Sequence, residues 1–370
     1  MIYHFILDHR IGGPHVYVNT FRKVLDDRFQ SVVITTGVGP MTDRALLNLR
    51  HFWAPLFAVE VLINSFWLIL DVVRKRISSD QALFHVHSGA NLAPLIAARI
   101  TGIPVLWTIH ETTPSYRWLV KFGRWLLRGS SHSIAVVAHS SSAAYGLENT
   151  TFLPASVDES FWSYSNVSEQ EKLACSWSSD GDAGRSVMRI LSVGNLNPLK
   201  GADVLLGSLE LLPGPFHLKL VGSELVTHKD FAHKLKEQSG QQEDRWVEFL
   251  GRRDKSTIRS LLASSDVFVL PSRSEACPIV LLEAMAMGCR IVASDVGDVA
   301  EMLASCPNAV IFRSESTEEC ANAIGKIRSI VYEDLSGSTQ SCIGETWQLS
   351  RVVEKTAEVY QQLISEKNQS

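Results

Sequence analysis

The chain of 370 residues has no cysteine before Cys175, and its six (Cys175, Cys277, Cys289, Cys306, Cys320 and Cys342) contain no C-x-x-C pair. Unbridged thiols in a reducing cytoplasm are therefore expected. The opening Met1-Ile2-Tyr3-His4-Phe5-Ile6-Leu7-Asp8-His9-Arg10 has an apolar strand but lacks the basic flank and cleavage site of a secretory leader. G-x-G-x-x-G is missing, which argues against a dinucleotide site. An unbroken membrane-length apolar run is missing too, because Glu60, Asn64 and Asp71 interrupt residues 54–73. Polar groups are costly in lipid, so that segment is expected to be a long helix packed on a sheet.

What is present is ordinary for a globular protein: 45% hydrophobic and 20% charged residues, with a formal net charge of −4. The charge is unevenly spread. Residues 1–158 hold 14 Lys+Arg and 10 Asp+Glu, a balance of +4, and the remainder, with 21 and 29, balances at −8. The length suits two domains with separate cores. No nucleic-acid partner is expected, whereas the basic first half fits an anionic acceptor or membrane surface.

Strands expected at 3–7, 31–35, 83–87, 105–110 and 133–138 alternate with helices at 16–25 and 92–101. This is a parallel α/β sheet with ligands at the carboxyl ends of its strands. The polar 157–186 stretch reads as a connection. Strands at 188–193, 217–221, 247–249, 267–270 and 290–293 make a second parallel sheet. Two such domains are expected to face each other across a cleft.

The most informative segment is 271–297, where Glu275 and Glu283 stand eight residues apart. Pro278 suits the first turn of a helix and Gly288 its end. Glu275 then lies in the loop before the helix and Glu283 inside it. The first helical amides, at Ile279, Val280 and Leu281, have no intrahelical partner and could hold a diphosphate, leaving the two carboxylates for neutral hydroxyls. On spacing alone, a surface glutamate followed by a structural one remains an equal reading.

The run from Ser274 through Glu275, Cys277, Pro278 and Glu283 to Ala286 resembles the E-x7-E signature of family 4 (group 1) retaining glycosyltransferases. Three further stretches resemble the same family in the same order. These are Ile11-Gly12-Gly13, the run Leu191-Ser192-Val193-Gly194-Asn195 through Lys200-Gly201, and the final helical stretch 347–364 with Trp347 and Tyr360. The resemblance implies a GT-B fold: a Rossmann-like acceptor domain over 1–165, a Rossmann-like nucleotide-sugar domain over 187–345, and a terminal helix over 346–370 that crosses back. It implies a nucleotide diphosphate sugar as co-substrate, no cofactor, and a glycan or lipid-linked acceptor in cell-surface polysaccharide synthesis.

By the same resemblance Glu275, His110 and Lys200 are the catalytic residues. Donor binding falls to Gly12, Gly13, Asn195, Lys200, Cys277, Ile279, Val280, Leu281 and Glu283. Many members carry an arginine where this chain has Asn195, so a charge-assisted contact of roughly 1.5–3 kcal/mol is replaced by neutral hydrogen bonds. Arg252, Arg253 or Arg273 could compensate. A nucleotide-sugar epimerase on the same fold, or a nucleotide-binding protein without catalysis, are the rival readings.

No metal is expected. Asp180-Gly181-Asp182 lies in a Ser/Gly-rich connection and not after a strand. His85 and His87 share a strand face, but no third ligand is adjacent in sequence. Arg117, Lys121 and Arg124 follow helical spacing among tryptophans, a pattern that suits anionic headgroups and a peripheral place on the cytoplasmic face of a membrane.

Overall fold

The computed structural model describes residues 1–7, 13–25, 28–38, 42–48, 56–77, 82–158, 160–177, 187–239, 245–329 and 343–369. Ile11 and Gly12, the Asp180-Gly181-Asp182 stretch and Cys342 lie outside them. The chain forms two compact units, one of Met1–Ser156 with Leu349–Ser370 and the other of Val157–Gln348.

The first unit is a seven-stranded parallel sheet of β1 (Ile2–Ile6), β2 (Ser31–Thr36), β3 (Arg44–Leu46), β4 (Leu83–His87), β5 (Val105–Ile109), β6 (His132–Val136) and β7 (Thr151–Phe152), in the order β3-β2-β1-β4-β5-β6-β7. β1, β4 and β5 are buried along their whole length, as strands covered on both faces are, even though β1 and β4 carry His4, His85 and His87 among their apolar residues. The connecting helices are α1 (Gly13–Leu25), α2 (Leu56–Val73), α3 (Leu92–Thr101), α4 (Arg117–Leu127) and α5 (His139–Tyr145). Helix α3 packs against both α2 and α4. Helix α4 lies close on the sheet because Gly123 faces the Trp107 ring, where a Cβ would overlap it.

Beyond a short α6 (Glu169–Leu173), the second unit holds a six-stranded parallel sheet in the order β10-β9-β8-β11-β12-β13. Its strands are β8 (Met188–Val193), β9 (Phe216–Val221), β10 (Arg245–Gly251), β11 (Val267–Leu270), β12 (Ile291–Ser294) and β13 (Ala309–Phe312). The helices are α7 (Ala202–Glu210), α8 (Lys229–Gln238), α9 (Lys255–Ser264), α10 (Ile279–Ala286), α11 (Val299–Leu303) and α12 (Thr317–Ser329). The last helix, α13 (Leu349–Gln369), packs on α1 and on β4 to β6 of the first unit, and its Tyr360 is fully buried there.

Three strands escape the sequence reading: β3 and β7 because they have three and two residues, and β13 because only Phe312 of its four residues is buried. Helix α2 forms where a long helix was expected, and its burial is mixed: Val61 and Leu68 are buried together with the polar Glu60, Asn64, Ser65 and Asp71, while Leu62 is 66% and Phe66 57% exposed.

Candidate functional site

In the second unit the carboxyl ends of β8 and β11 bring the segments carrying Lys200 and Glu275 together. Gly201 takes φ +65°, in the left-handed region, and a Cβ there would overlap the Pro271 carbonyl oxygen. Only glycine permits that approach. The Arg273 amide donates to the Leu199 carbonyl at 2.8 Å and fixes the register of the two loops. Lys200 Nζ then reaches Glu275 Oε1 at 2.6 Å, and Ser272 Oγ donates to the same oxygen at 2.7 Å. From behind, Ser294 Oγ at 2.5 Å and Ser314 Oγ at 3.2 Å donate to the Ser272 carbonyl. Gly297, at φ +57°, sits so close to the Glu275 carbonyl that a side chain would collide with it. The glutamate is thus held by three loops, at the ends of β11, β12 and β13.

Helix α10 starts at Ile279, with Pro278 as its extended N-cap, one position earlier in role than the sequence reading places it. The Leu281 amide donates to the Pro278 carbonyl at 3.0 Å. Of the three expected phosphate donors, Leu281 is therefore engaged, which leaves the amides of Ile279 and Val280 as those that helix geometry cannot pair. Glu283 is buried on this helix, and desolvation pushes its carboxyl up to about 8 against the opposing field of Lys255. The acid is mostly protonated at neutral pH, and can donate as well as accept a hydrogen bond. Cys277 is partly buried in the loop between Glu275 and the helix.

Asn195 lies just past β8, where its Oδ1 accepts from the Ser223 amide at 3.2 Å, so the amide group remains as its donor. Arg273 does not compensate for the missing arginine. Its guanidinium is bonded to both carboxylate oxygens of Asp203 at 2.8 and 2.7 Å, to Glu315 at 2.9 Å and to the Pro198 carbonyl at 2.6 Å. Arg252 and Arg253 follow Gly251, whose carbonyl accepts from Gly222 at the same edge of the sheet, and both are exposed.

In the first unit His110 follows β5 and is joined to a cluster invisible in sequence spacing. His87 Nδ1 lies 3.0 Å from His110 Nε2, and His87 Nε2 lies 3.2 Å from His4 Nδ1. His85 bonds Tyr360 Oη at 2.6 Å and Thr108 Oγ1 at 2.7 Å. Parallel pairing of β1 with β4 sets His4 opposite His85, so His4 is the third imidazole that the sequence reading lacked. The nitrogens of His4, His85 and His87 fall within 4.8 Å of one another. Both nitrogens of His85 and of His87 already meet a protein partner, and the fit to a cation is correspondingly poor. Burial drives all four imidazoles toward the neutral form, His4 and His110 down to about 3 and His85 and His87 well below the usual value. The Tyr17 ring stands edge-on to His110 at 5.0 Å. Gly13 opens α1, and Glu111, its carboxyl raised by burial, accepts from the Gly89 amide at 3.0 Å.

Arg117 and Arg124, expected at a membrane, have a partner within the unit. Arg117 donates to the Ala144 carbonyl at 3.0 Å and Arg124 to the Gly146 carbonyl at 3.2 Å, at the carboxyl end of α5. This is where a helix dipole favours cations. Lys121 lines a recess of about 580 Å³ with Arg124, Arg128 and His132.

Two family profiles divide the chain between them: glycosyltransferase family 4 over residues 11–156 and glycosyl transferases group 1 over residues 188–329. The chain belongs to the group 1, family 4 glycosyltransferases and has the GT-B fold of two parallel-sheet α/β domains. Among curated relatives, it is 24% identical over 311 residues to an Escherichia coli UDP-Gal:alpha-D-GlcNAc-diphosphoundecaprenol alpha-1,3-galactosyltransferase, covering 77% of this chain and 76% of that protein. The putative glycosyltransferase EpsF of Bacillus subtilis is 27% identical, with 77% and 76% covered. Other matches are partial. An uncharacterized glycosyltransferase of Methanocaldococcus jannaschii aligns over 46% of this chain and 44% of its own length at 28% identity. A D-inositol 3-phosphate glycosyltransferase of Mycobacteroides abscessus aligns over 36% and 30% at 30% identity. Among solved structures, Anabaena HepE in complex with UDP and glucose superposes with a TM-score of 0.78 at 19% identity over 97% of this chain and 99% of that one. Sucrose-phosphate synthase of Thermosynechococcus elongatus gives 0.78 at 16%, with 99% of each chain covered.

Proposed function

We propose that the protein is a retaining glycosyltransferase that moves a sugar from a nucleotide diphosphate sugar to a glycan or lipid-linked acceptor in cell-surface polysaccharide synthesis. The carrying observation is the assembly at the carboxyl edge of the second sheet: Lys200 paired with a Glu275 held by three loops, beside the first amides of α10 and the buried Glu283. The diphosphate takes the α10 amides and the Lys200 ammonium, the ribose hydroxyls bond Glu283, and the sugar hydroxyls bond Glu275.

In the reaction the bond between the sugar C1 and the phosphate oxygen breaks, and the electron pair leaves with the phosphate. The acceptor hydroxyl oxygen bonds C1 on the same face, and its proton passes to the leaving phosphate oxygen. Lys200 stabilises the charge that builds there. The reaction needs no metal in this scheme. The names of the Escherichia coli relative and of the Anabaena complex support a uridine nucleotide as the first donor to try and a diphosphoundecaprenol-linked glycan as the first acceptor. The acceptor would be met at the cytoplasmic face of a membrane.

The test is nucleoside diphosphate release from a panel of UDP-, GDP- and ADP-sugars with lipid-linked glycan acceptors. Release that needs both donor and acceptor, with the α anomeric configuration of the donor kept in the product, supports the proposal. An acceptor-independent change of the donor's sugar would identify an epimerase, and binding without turnover a degenerate site.

A further inference from the structure

Helix α2 is apolar on both faces: Val61 and Leu68 lie in the core with Phe57, Ile69 and Val72 packed against it, yet its outer face is apolar too. Its buried stripe is Glu60, Val61, Asn64, Ser65, Leu68 and Asp71, at intervals of one, three or four residues, while Val59, Leu62, Phe66 and Val73 face solvent at three-, four- and seven-residue steps. A soluble amphipathic helix turns a polar face to solvent instead. The inward polar groups are satisfied within the first unit. Asn64 exchanges two hydrogen bonds with the Leu47 backbone at 2.9 and 3.0 Å, Asp71 pairs with Arg44, and Ser65 donates to the carbonyls of Val61 at 2.6 Å and Ala93 at 3.3 Å. Those partners tie the helix to the sheet. Crossing a bilayer would strip them, so α2 is built to lie along an apolar phase and not to span it.

The outward apolar face extends along the same layer of helices. Helix α4 exposes Trp118, Phe122 and Trp125 as one stripe at i, i+4 and i+7, and α3, which packs against both neighbours, exposes Ile100. Aromatics of this kind suit the headgroup boundary. Cations rim one edge. In a parallel α/β unit the helices run opposite to the strands, so α2, α3 and α4 all end where the strands begin. Exposed Arg74, Lys75 and Arg76 follow α2, Arg99 lies in the last turn of α3, and Arg128 follows α4. At that edge the recess of about 580 Å³ gathers Lys121, Arg124, Arg128 and His132 around the exposed Trp125, with Glu148 as the carboxylate in its lining; three cations against one anion leave a net positive charge suited to a phosphate headgroup.

We propose that the α2–α3–α4 face of the first unit docks on an anionic bilayer, with the aromatic stripes in the interface and one lipid phosphate in the recess. The inference deepens the proposed function, because it gives the membrane contact of that reading a place and an orientation. It does not depend on turnover.

The experiment is sedimentation of the full-length protein with phosphatidylcholine vesicles and with vesicles that include phosphatidylglycerol, at low and high salt. Binding is expected to the anionic vesicles and to weaken with salt. Phe66→Glu should reduce it at least about tenfold, as an ionised side chain must then enter the interface. Lys121→Glu with Arg128→Glu should reduce it similarly, while both variants retain the thermal shift produced by a nucleotide diphosphate sugar. A parallel measurement needs no variant: quenching of wild-type tryptophan fluorescence by brominated lipid. Absence of both sedimentation and quenching overturns the inference. Equal binding to neutral vesicles overturns the recess. A wild-type dimer in solution that Phe66→Glu dissociates, without vesicle binding, assigns the face to a second copy of the chain instead. Loss of the donor shift in wild type with vesicle binding intact would count against the donor reading alone.

Discussion

Replacing His4 by glutamine should flatten the acid side of the stability curve by the equivalent of one proton. His4 is fully buried in the first sheet, where desolvation, helped by the charge of Arg22, lowers it from 6.5 to about 3. The unfolded chain binds a proton near the ordinary histidine value and the folded chain refuses it until far lower pH. The stability held by the neutral imidazole is therefore fully present above about pH 6.5 and is lost as pH falls toward 3. From pH 7 to pH 5.5 the loss is about 1.3 kcal/mol for one such group, by the ratio of the unfolded state's binding terms. His110, also near 3, adds a similar amount, and His85 and His87 move in the same direction. The buried carboxyls of Glu111 and Glu283 act with the opposite sign, but they are common to wild type and variant and cancel in the comparison. Urea unfolding of both proteins at the two pH values, followed through the first unit, measures the difference. Wild type should lose about 1.3 kcal/mol more than His4→Gln. Parallel losses would show that His4 is protonated or solvated in the folded state, and would refute the cluster as described.

Three further perturbations probe the second unit. Gly201→Ala should destabilise by more than about 2 kcal/mol in chemical denaturation, since it adds a left-handed-region penalty to a collision with the Pro271 carbonyl; a neutral effect would mean that the Lys200 and Pro271 loops do not approach as closely as shown. Glu283→Gln should remove a stability loss of about 1.4 kcal/mol between pH 7 and pH 9, because a carboxyl raised to about 8 contributes stability that disappears as pH rises through that value; an unchanged alkaline limb would contradict the buried acid. Lys200→Ala should weaken the donor's affinity or turnover by roughly 10- to 150-fold, the range of a lost charge-assisted bond, read by titration calorimetry and initial rates; a change below about twofold would remove Lys200 from the phosphate site.

The loop-and-helix segment that carries Glu275 and Glu283 was legible because its information is local. Glu275, Pro278 and Glu283 stand within one loop and helix, and helix geometry alone dictates which amides lie at its start. Its support was not legible: that Ser272, Ser294 and Ser314 brace Glu275 depends on the adjacency of β11, β12 and β13. The histidine cluster fails in sequence for the same reason. His4 and His87 are 83 residues apart and meet only through the pairing of β1 with β4. Arg273 looked available because nothing in its neighbourhood announces Asp203 or Glu315. For α2 the helix was legible from its apolar content, but which residues it buries was not, since hydropathy counts residues and does not know which face has hydrogen-bond partners waiting.

The proposed donor site is built on Lys200, Glu275, Glu283 and the start of α10. The most direct test is a thermal-shift panel of UDP, GDP, ADP and CMP, their common sugar conjugates and NAD, on wild type and Lys200→Ala. At about 100 times its dissociation constant a bound donor adds roughly 2.7 kcal/mol. Selective stabilisation by one nucleotide diphosphate sugar is expected, lost or strongly reduced in Lys200→Ala. Stabilisation by NAD alone, or by a sugar nucleotide equally in both proteins, would contradict that donor site.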